Sequence, residues 1–199
     1  MMYRVNLAGQ EMMKVLFIHG LASSGAYKTA STLRTLLRPC EVIAPDVPIE
    51  PEAALSLLRT LCEAEKPDLI VGLSLGGFWA QKLRGFRKIL INPDLHPSIL
   101  LRSKIGEMKY LAPRQDGAVS FWITEEICKG YETLETGEFD DLSQEEVALT
   151  DGLFASDDEL VHCGPEFERH YPGRAHPYPG THLPTFPEIK RYLLPLVSQ

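Results

Sequence analysis

The 199-residue chain has few cysteines, no long apolar run and no surplus of positive charge. Each shortage excludes something. Cys40, Cys62, Cys128 and Cys163 contain no C-x-x-C spacing, and His162 beside Cys163 lacks a second pair to complete a zinc site. Four reduced, mostly buried thiols in a cytoplasmic protein are therefore expected. No apolar run approaches the roughly 18 to 20 residues that a membrane-crossing helix needs, and Met1–Gln10 is too polar for a signal peptide. With 20 basic against 27 acidic residues, a net charge of -7, the chain is not an expected nucleic-acid binder. Internal repeats and low-complexity tracts are also missing.

What is present is ordinary soluble composition: 44% hydrophobic and 24% charged residues, enough to bury a sizeable core without disulfides or metal. The acidity is uneven. Glu125 through Glu159 holds thirteen acids and one base, Lys129, so the rest of the chain is slightly basic. The stretch is readable as a solvated acidic face. It is also readable as a lid or rim that disfavours anionic substrates such as acyl-CoA.

The chain alternates short apolar runs with amphipathic stretches. Val15–Ile18, Val42–Ala44, Leu69–Leu73, Lys88–Asn92, Asp151–Ala155 and Gly173–Tyr178 read as strands, the first by continuous apolarity that suits burial on both faces. Helical spacing covers 27–38, a helix opening at Pro51 with the stripe Ala54, Leu57, Leu58, Leu61 and Cys62, and a last helix over Glu188–Val197. The rhythm predicts an α/β fold, a mostly parallel sheet of about six strands with helices on both faces. Residues 13–199 are expected to form one domain after a poorly ordered extension over 1–12. The region 97–150 is the least patterned. Short helices over Pro97–Ile105 and Phe121–Leu134 are expected there, with Glu135–Glu146 exposed.

Residues 72–77 read Gly72-Leu73-Ser74-Leu75-Gly76-Gly77. This is G-x-S-x-G, a strand–turn–helix elbow that lifts a serine above the carboxyl edge of a sheet. The glycines stand where side chains would collide with the neighbouring strand and helix. Chance alone would produce the pattern roughly 0.06 times in such a chain, and a buried-strand run precedes it while Phe78–Leu83 reads as a helix after it. The N–H of Leu75 then faces the serine's surroundings at a helix N-terminus. His19-Gly20-Leu21 ends the first strand, so its loop can supply a second backbone donor, the N–H of Leu21. His19 itself reads as a loop-holding residue.

A serine needs a base, and in this layout the chain order is Ser, then Asp or Glu, then His. His182, after Gly180-Thr181 and before the last helix, fits better than His176, which lies inside a strand, or than His162 and His170. The orienting acid should follow the strand at 151–155; Asp158 is preferred and Asp157 is the runner-up. No metal or cofactor is required. There is no G-x-G-x-x-G after the first strand, and GLSLGG lacks the lysine of a phosphate-binding loop.

HGLASSG, PDVP, GLSLGG, INPDLHP, SDDELV and GTH occur in this order. Across about residues 13–197 the chain resembles the α/β-hydrolase superfamily, and within it the small bacterial esterases of the YqiA/YcfP type. The resemblance implies a serine hydrolase with Ser74, Asp158 and His182 as its triad and the Leu21 and Leu75 amides as its oxyanion hole. It also implies a pocket near His19, Gly20, Asn92 and Pro93, no large cap domain, and a small-molecule ester as substrate. A thioesterase or amidase with the same triad, or a hydrolase-fold binding protein without turnover, are the alternative readings.

Overall fold

The computed structural model describes residues 12–198; the expected N-terminal extension lies, but for Met12, outside them. The chain begins with β1 (Lys14–Ile18), α1 (Lys28–Leu36), β2 (Glu41–Ile43), α2 (Pro51–Glu65), β3 (Leu69–Leu73), α3 (Leu75–Lys82) and β4 (Lys88–Ile91). An insertion follows: α4 (Pro97–Arg102), the antiparallel pair β5 (Gly106–Lys109) and β6 (Ser120–Ile123), α5 (Glu125–Glu135) and α6 (Gln144–Ala148). The sheet then resumes with β7 (Thr150–Ala155), α7 (Gly164–His170) and β8 (Ala175–Tyr178). The chain ends in α8 (Phe186–Glu188), a π-helical turn over Ile189–Leu193 and α9 (Leu194–Val197).

The main sheet has the order β2-β1-β3-β4-β7-β8, and every pairing in it is parallel. Parallel strands need crossovers, and the helices supplying them cover both faces. Strand residues alternate between two cores. Leu16, Ile18, Ile70 and Leu90 face α2, α3, α7 and the insertion, through Leu58, Phe78, Phe167, Phe121 and Tyr131. Val15, Phe17, Val71 and Ile91 face α1 and the C-terminal helices, through Leu33, Ile189 and Leu193. Helix α3 is buried along Leu75–Gln81 because the sheet packs on one side and the insertion on the other.

Three expectations are corrected. Phe121–Leu134 is not one helix. Phe121 and Ile123 turn inward while Trp122 is 62% exposed, a two-residue period that makes Ser120–Ile123 a strand. Thr124 then caps α5, its hydroxyl accepting the N–H of Ile127 at 3.3 Å. The stretch Glu135–Glu146 is not uniformly exposed either. Glu138 and Glu146 are buried, paired with Lys82 at 3.0 Å and with the fully buried Lys88. Burial pushes the Glu138 carboxyl up to about 7. These pairs fasten the insertion to α3 and β4. Finally, the last helix passes through a π turn. Pro195 has no N–H to offer the carbonyl one turn back and would crowd it, so the ladder widens just before it.

Candidate active site

Chain order along the sheet reverses between β1 and β3: β2 lies beyond one, β4 beyond the other. Loops leaving the carboxyl ends of β1 and β3 therefore part, and a crevice opens at that edge. His19-Gly20 and Ser74 occupy it. Ser74 has φ 55° and ψ -120°, a conformation that costs an L-residue on the order of 1–3 kcal/mol. Its backbone is held on both sides. The Ser74 N–H donates to the Ile91 carbonyl at 2.9 Å, and its carbonyl accepts from Gly77 at 2.8 Å and Asp94 at 3.2 Å. The glycines are sterically required: a Cβ on Gly76 would lie 2.0 Å from the Ile18 carbonyl oxygen, and one on Gly72 2.3 Å from the Gly76 oxygen.

The Ser74 hydroxyl lies 2.9 Å from His182 Nε2, and His182 Nδ1 lies 2.8 Å from Asp158 Oδ2. A carboxylate can only accept, so Nδ1 carries the proton and Nε2 is left to accept from the serine hydroxyl. Asp158 is buried and in turn held, its Oδ1 accepting the N–H groups of Leu160 at 2.8 Å and Val161 at 3.0 Å. Asp157, the runner-up from sequence, faces solvent and accepts, among the described residues, from the Ser156 hydroxyl at 3.2 Å. His176 bonds Asp151 from within β8, and the His170 ring stacks on Phe139.

His19 is buried with both nitrogens engaged. Nδ1–H donates to the Gly20 carbonyl at 2.8 Å and Nε2 accepts the Val47 N–H at 3.0 Å. Burial lowers its pKa, which keeps the ring neutral in this role. Gly20 leaves room beside Ser74, since a Cβ there would come 3.2 Å from the serine's own.

Asn92 and Pro93 do not line the cleft expected of them. Pro93 packs on Gly77, where an added Cβ would approach to 2.7 Å. The Asn92 Oδ1 accepts the Ala155 N–H at 2.8 Å, and its Nδ2 donates to the His182 carbonyl at 2.8 Å and the Tyr178 hydroxyl at 3.0 Å. It thereby ties β4 to the two loops that carry Asp158 and His182. Only tertiary packing reveals that role, because these partners lie 63 to 90 positions along the chain.

Sequence reasoning also missed Asp94. It is buried against the elbow, its Oδ1 accepting the His96 N–H at 3.2 Å. Burial raises its carboxyl from 3.8 to about 6. The folded state then holds this proton more tightly than the unfolded chain between those two values. The resulting stability is complete below about pH 3.8 and is lost as pH rises through about 6. Asp94→Asn is expected to flatten that part of the melting-temperature profile, measured from pH 4 to 8 in steps; an unchanged slope would count against the assignment.

An open cleft reaches Ser74 and His182, lined by Leu21, Leu100, Leu111 and Leu160 and by Lys104 and Lys109. The acids between Glu125 and Glu159 do not line it. Glu125 and Glu132 instead pair with Arg102, and Glu135 accepts from the Ser98 amide and hydroxyl. Glu125, Glu132 and Glu135 are thus held by contacts within the insertion and are not part of the cleft lining. Among the described residues no group of three His, Cys, Asp or Glu could hold a metal ion, and no helix is long and apolar enough to cross a membrane.

A parallel sheet, a strained serine at its carboxyl edge and a loop histidine bonded to that serine define the α/β-hydrolase fold class. Solved structures of that class share the architecture. Est1E from Butyrivibrio proteoclasticus with ferulic acid bound superposes with a TM-score of 0.64 at 15% identity, covering 100% of this chain and 95% of that one. An α/β hydrolase from Novosphingobium aromaticivorans gives 0.62 at 14% identity, covering 97% of each chain.

Within that class, residues 14–126 match the Uncharacterised protein family (UPF0227), and the chain belongs to it. A UPF0227 protein of Shewanella sp. strain ANA-3 is 27% identical over 121 residues, which covers 53% of this chain and 65% of that relative. Another, from Shewanella sp. strain MR-4, is 37% identical over 62 residues, 30% of this chain and 34% of the relative. The family match includes Gly20, Leu21 and Ser74 and ends before Asp158 and His182.

Proposed function

We propose that the protein is a serine hydrolase that cleaves a small carboxylic ester through an acyl-enzyme. The observation that carries this reading is the unbroken hydrogen-bonded chain from the Ser74 hydroxyl through His182 to the buried Asp158. His182 Nε2 takes the hydroxyl proton as the Ser74 oxygen attacks the ester carbonyl. Asp158 fixes the ring's tautomer and stabilises the imidazolium. His182 then returns the proton to the departing alcohol. Water, deprotonated by the same nitrogen, releases the acid and frees Ser74.

The negative charge on the carbonyl oxygen needs fixed donors. The Leu75 N–H opens α3, where it has no partner within the helix. The Leu21 N–H likewise donates to nothing among the described residues. Together they suit an oxyanion hole, in which each donor contributes about 100 to 1,000-fold in rate. The chemistry so described uses protein groups throughout.

A fluorophosphonate probe tests the reading directly. An activated Ser74 displaces fluoride from phosphorus and becomes covalently labelled. Expected is stoichiometric labelling of the folded protein at Ser74, seen by intact mass and peptide mapping, and none in Ser74→Ala. Folded protein that resists the probe would instead support a hydrolase-fold binding protein without turnover.

A further inference from the structure

The cleft at Ser74 carries a charge opposite in sign to the chain as a whole. In a protein with seven more acids than bases, the cleft lining contains Lys104 and Lys109 and no aspartate or glutamate. Both lysines come from the insertion: Lys104 follows α4, and Lys109 ends β5. The two arginines of the insertion are neutralised, Arg102 by Glu125 and Glu132, and Arg114 by Asp116. Neither Lys104 nor Lys109 has a carboxylate partner among the described residues. The rest of the lining is mostly apolar, with Leu100, Leu111 and Leu160 prominent.

A substrate that satisfies this cleft has three parts. It presents an ester carbonyl to Ser74, lays an apolar body along the leucines, and ends in a negative charge that meets the two ammonium groups. Lysine suits the last task, since its flexible stem packs on apolar surface while its head stays at the mouth. We propose that the protein selects esters with an anionic end group and that Lys104 and Lys109 are the specificity-determining residues. This inference rests on the serine hydrolase reading for its chemistry.

The test compares two esters with the same reacting carbonyl: the mono-4-nitrophenyl ester of suberic acid, which has a free carboxylate, and its methyl-capped counterpart. The wild type is expected to favour the free acid by about fivefold or more in kcat/KM, the size of two exposed charge contacts. The preference should lie in KM and shrink as ionic strength rises. Lys104→Glu with Lys109→Glu should reverse it; both side chains are exposed, so folding is not at stake. The same ratio in wild type and double variant would overturn the proposal. Binding of both compounds to Ser74→Ala, read by equilibrium displacement, separates the two readings. A wild type that cleaves neither ester sinks the hydrolase reading alone. Tighter binding of the acid then still supports the lysine assignment, and equal binding overturns it.

Discussion

Replacing His182 by alanine is expected to lower kcat for ester hydrolysis by about 10⁶-fold with little change in KM. The size follows from the role. Without the imidazole, no group among the described residues is left to accept the Ser74 hydroxyl proton: the serine's side-chain contact is His182 Nε2 at 2.9 Å. Apolar walls and backbone donors still bind the ester, so the ground-state complex is spared. Asp158→Asn should cost less, about 10⁴-fold. An asparagine amide can turn its NH₂ toward Nδ1, which then accepts; the proton moves to Nε2, and the ring can no longer receive one from Ser74. Asp157→Asn should leave the rate near wild type, because Asp157 faces solvent and does not touch His182. Steady-state hydrolysis of 4-nitrophenyl esters, with melting temperatures to confirm folding, measures all three. A His182→Ala variant within tenfold of wild type would remove the histidine from the mechanism.

The contrast between Asp158 and Asp157 also shows where sequence reasoning ends. Ser74 is legible because its sharp turn demands local neighbours, glycines at fixed offsets whose absent Cβ atoms would strike Ile18 and Gly76. The central strands β1, β3 and β4 are legible because burial on two faces forces near-continuous apolarity. His182 follows from chain order. Adjacent acids in one loop differ only in the direction each side chain takes, so the sequence could rank Asp158 above Asp157 without containing that direction. Ser120–Ile123 failed for a related reason. A three-residue apolar run does not distinguish a strand from the start of a buried helix, and its partner β5 is largely polar, with Glu107 and Lys109 exposed. Glu138 and Glu146 look like surface acids until Lys82 and Lys88 are found opposite them. The two cleft lysines are the same case reversed: unremarkable in sequence, but brought by α4 and β5 to the lining of the cleft that reaches Ser74.

Asn92→Ala is expected to lower kcat by about 100-fold, a loss of the kind that a misplacement of about 1 Å produces. The residue touches none of the reacting atoms. Its Nδ2 donates to the carbonyls of His182 at 2.8 Å and Thr181 at 3.3 Å, and its Oδ1 accepts the Ala155 N–H at 2.8 Å. One side chain thus sets the height of the histidine loop and of the strand end that leads to Asp158. Truncation leaves the Thr181 and His182 carbonyls and the Ala155 N–H short of this partner, and lets the two loops drift apart. A second effect must be separated from this one. Asn92 has φ 43°, a left-handed conformation that asparagine tolerates and alanine does not favour. Asn92→Gly relieves that strain and keeps the hydrogen bonds missing. If positioning is the cause, Asn92→Gly regains melting temperature relative to Asn92→Ala while kcat stays low. Asn92→Asp retains the acceptor for Ala155 but turns a carboxylate oxygen toward two carbonyls, so its kcat falls as well. Recovery of kcat in the glycine variant would reduce Asn92 to a backbone residue and leave the alignment of His182 to the Asp158 hydrogen bond.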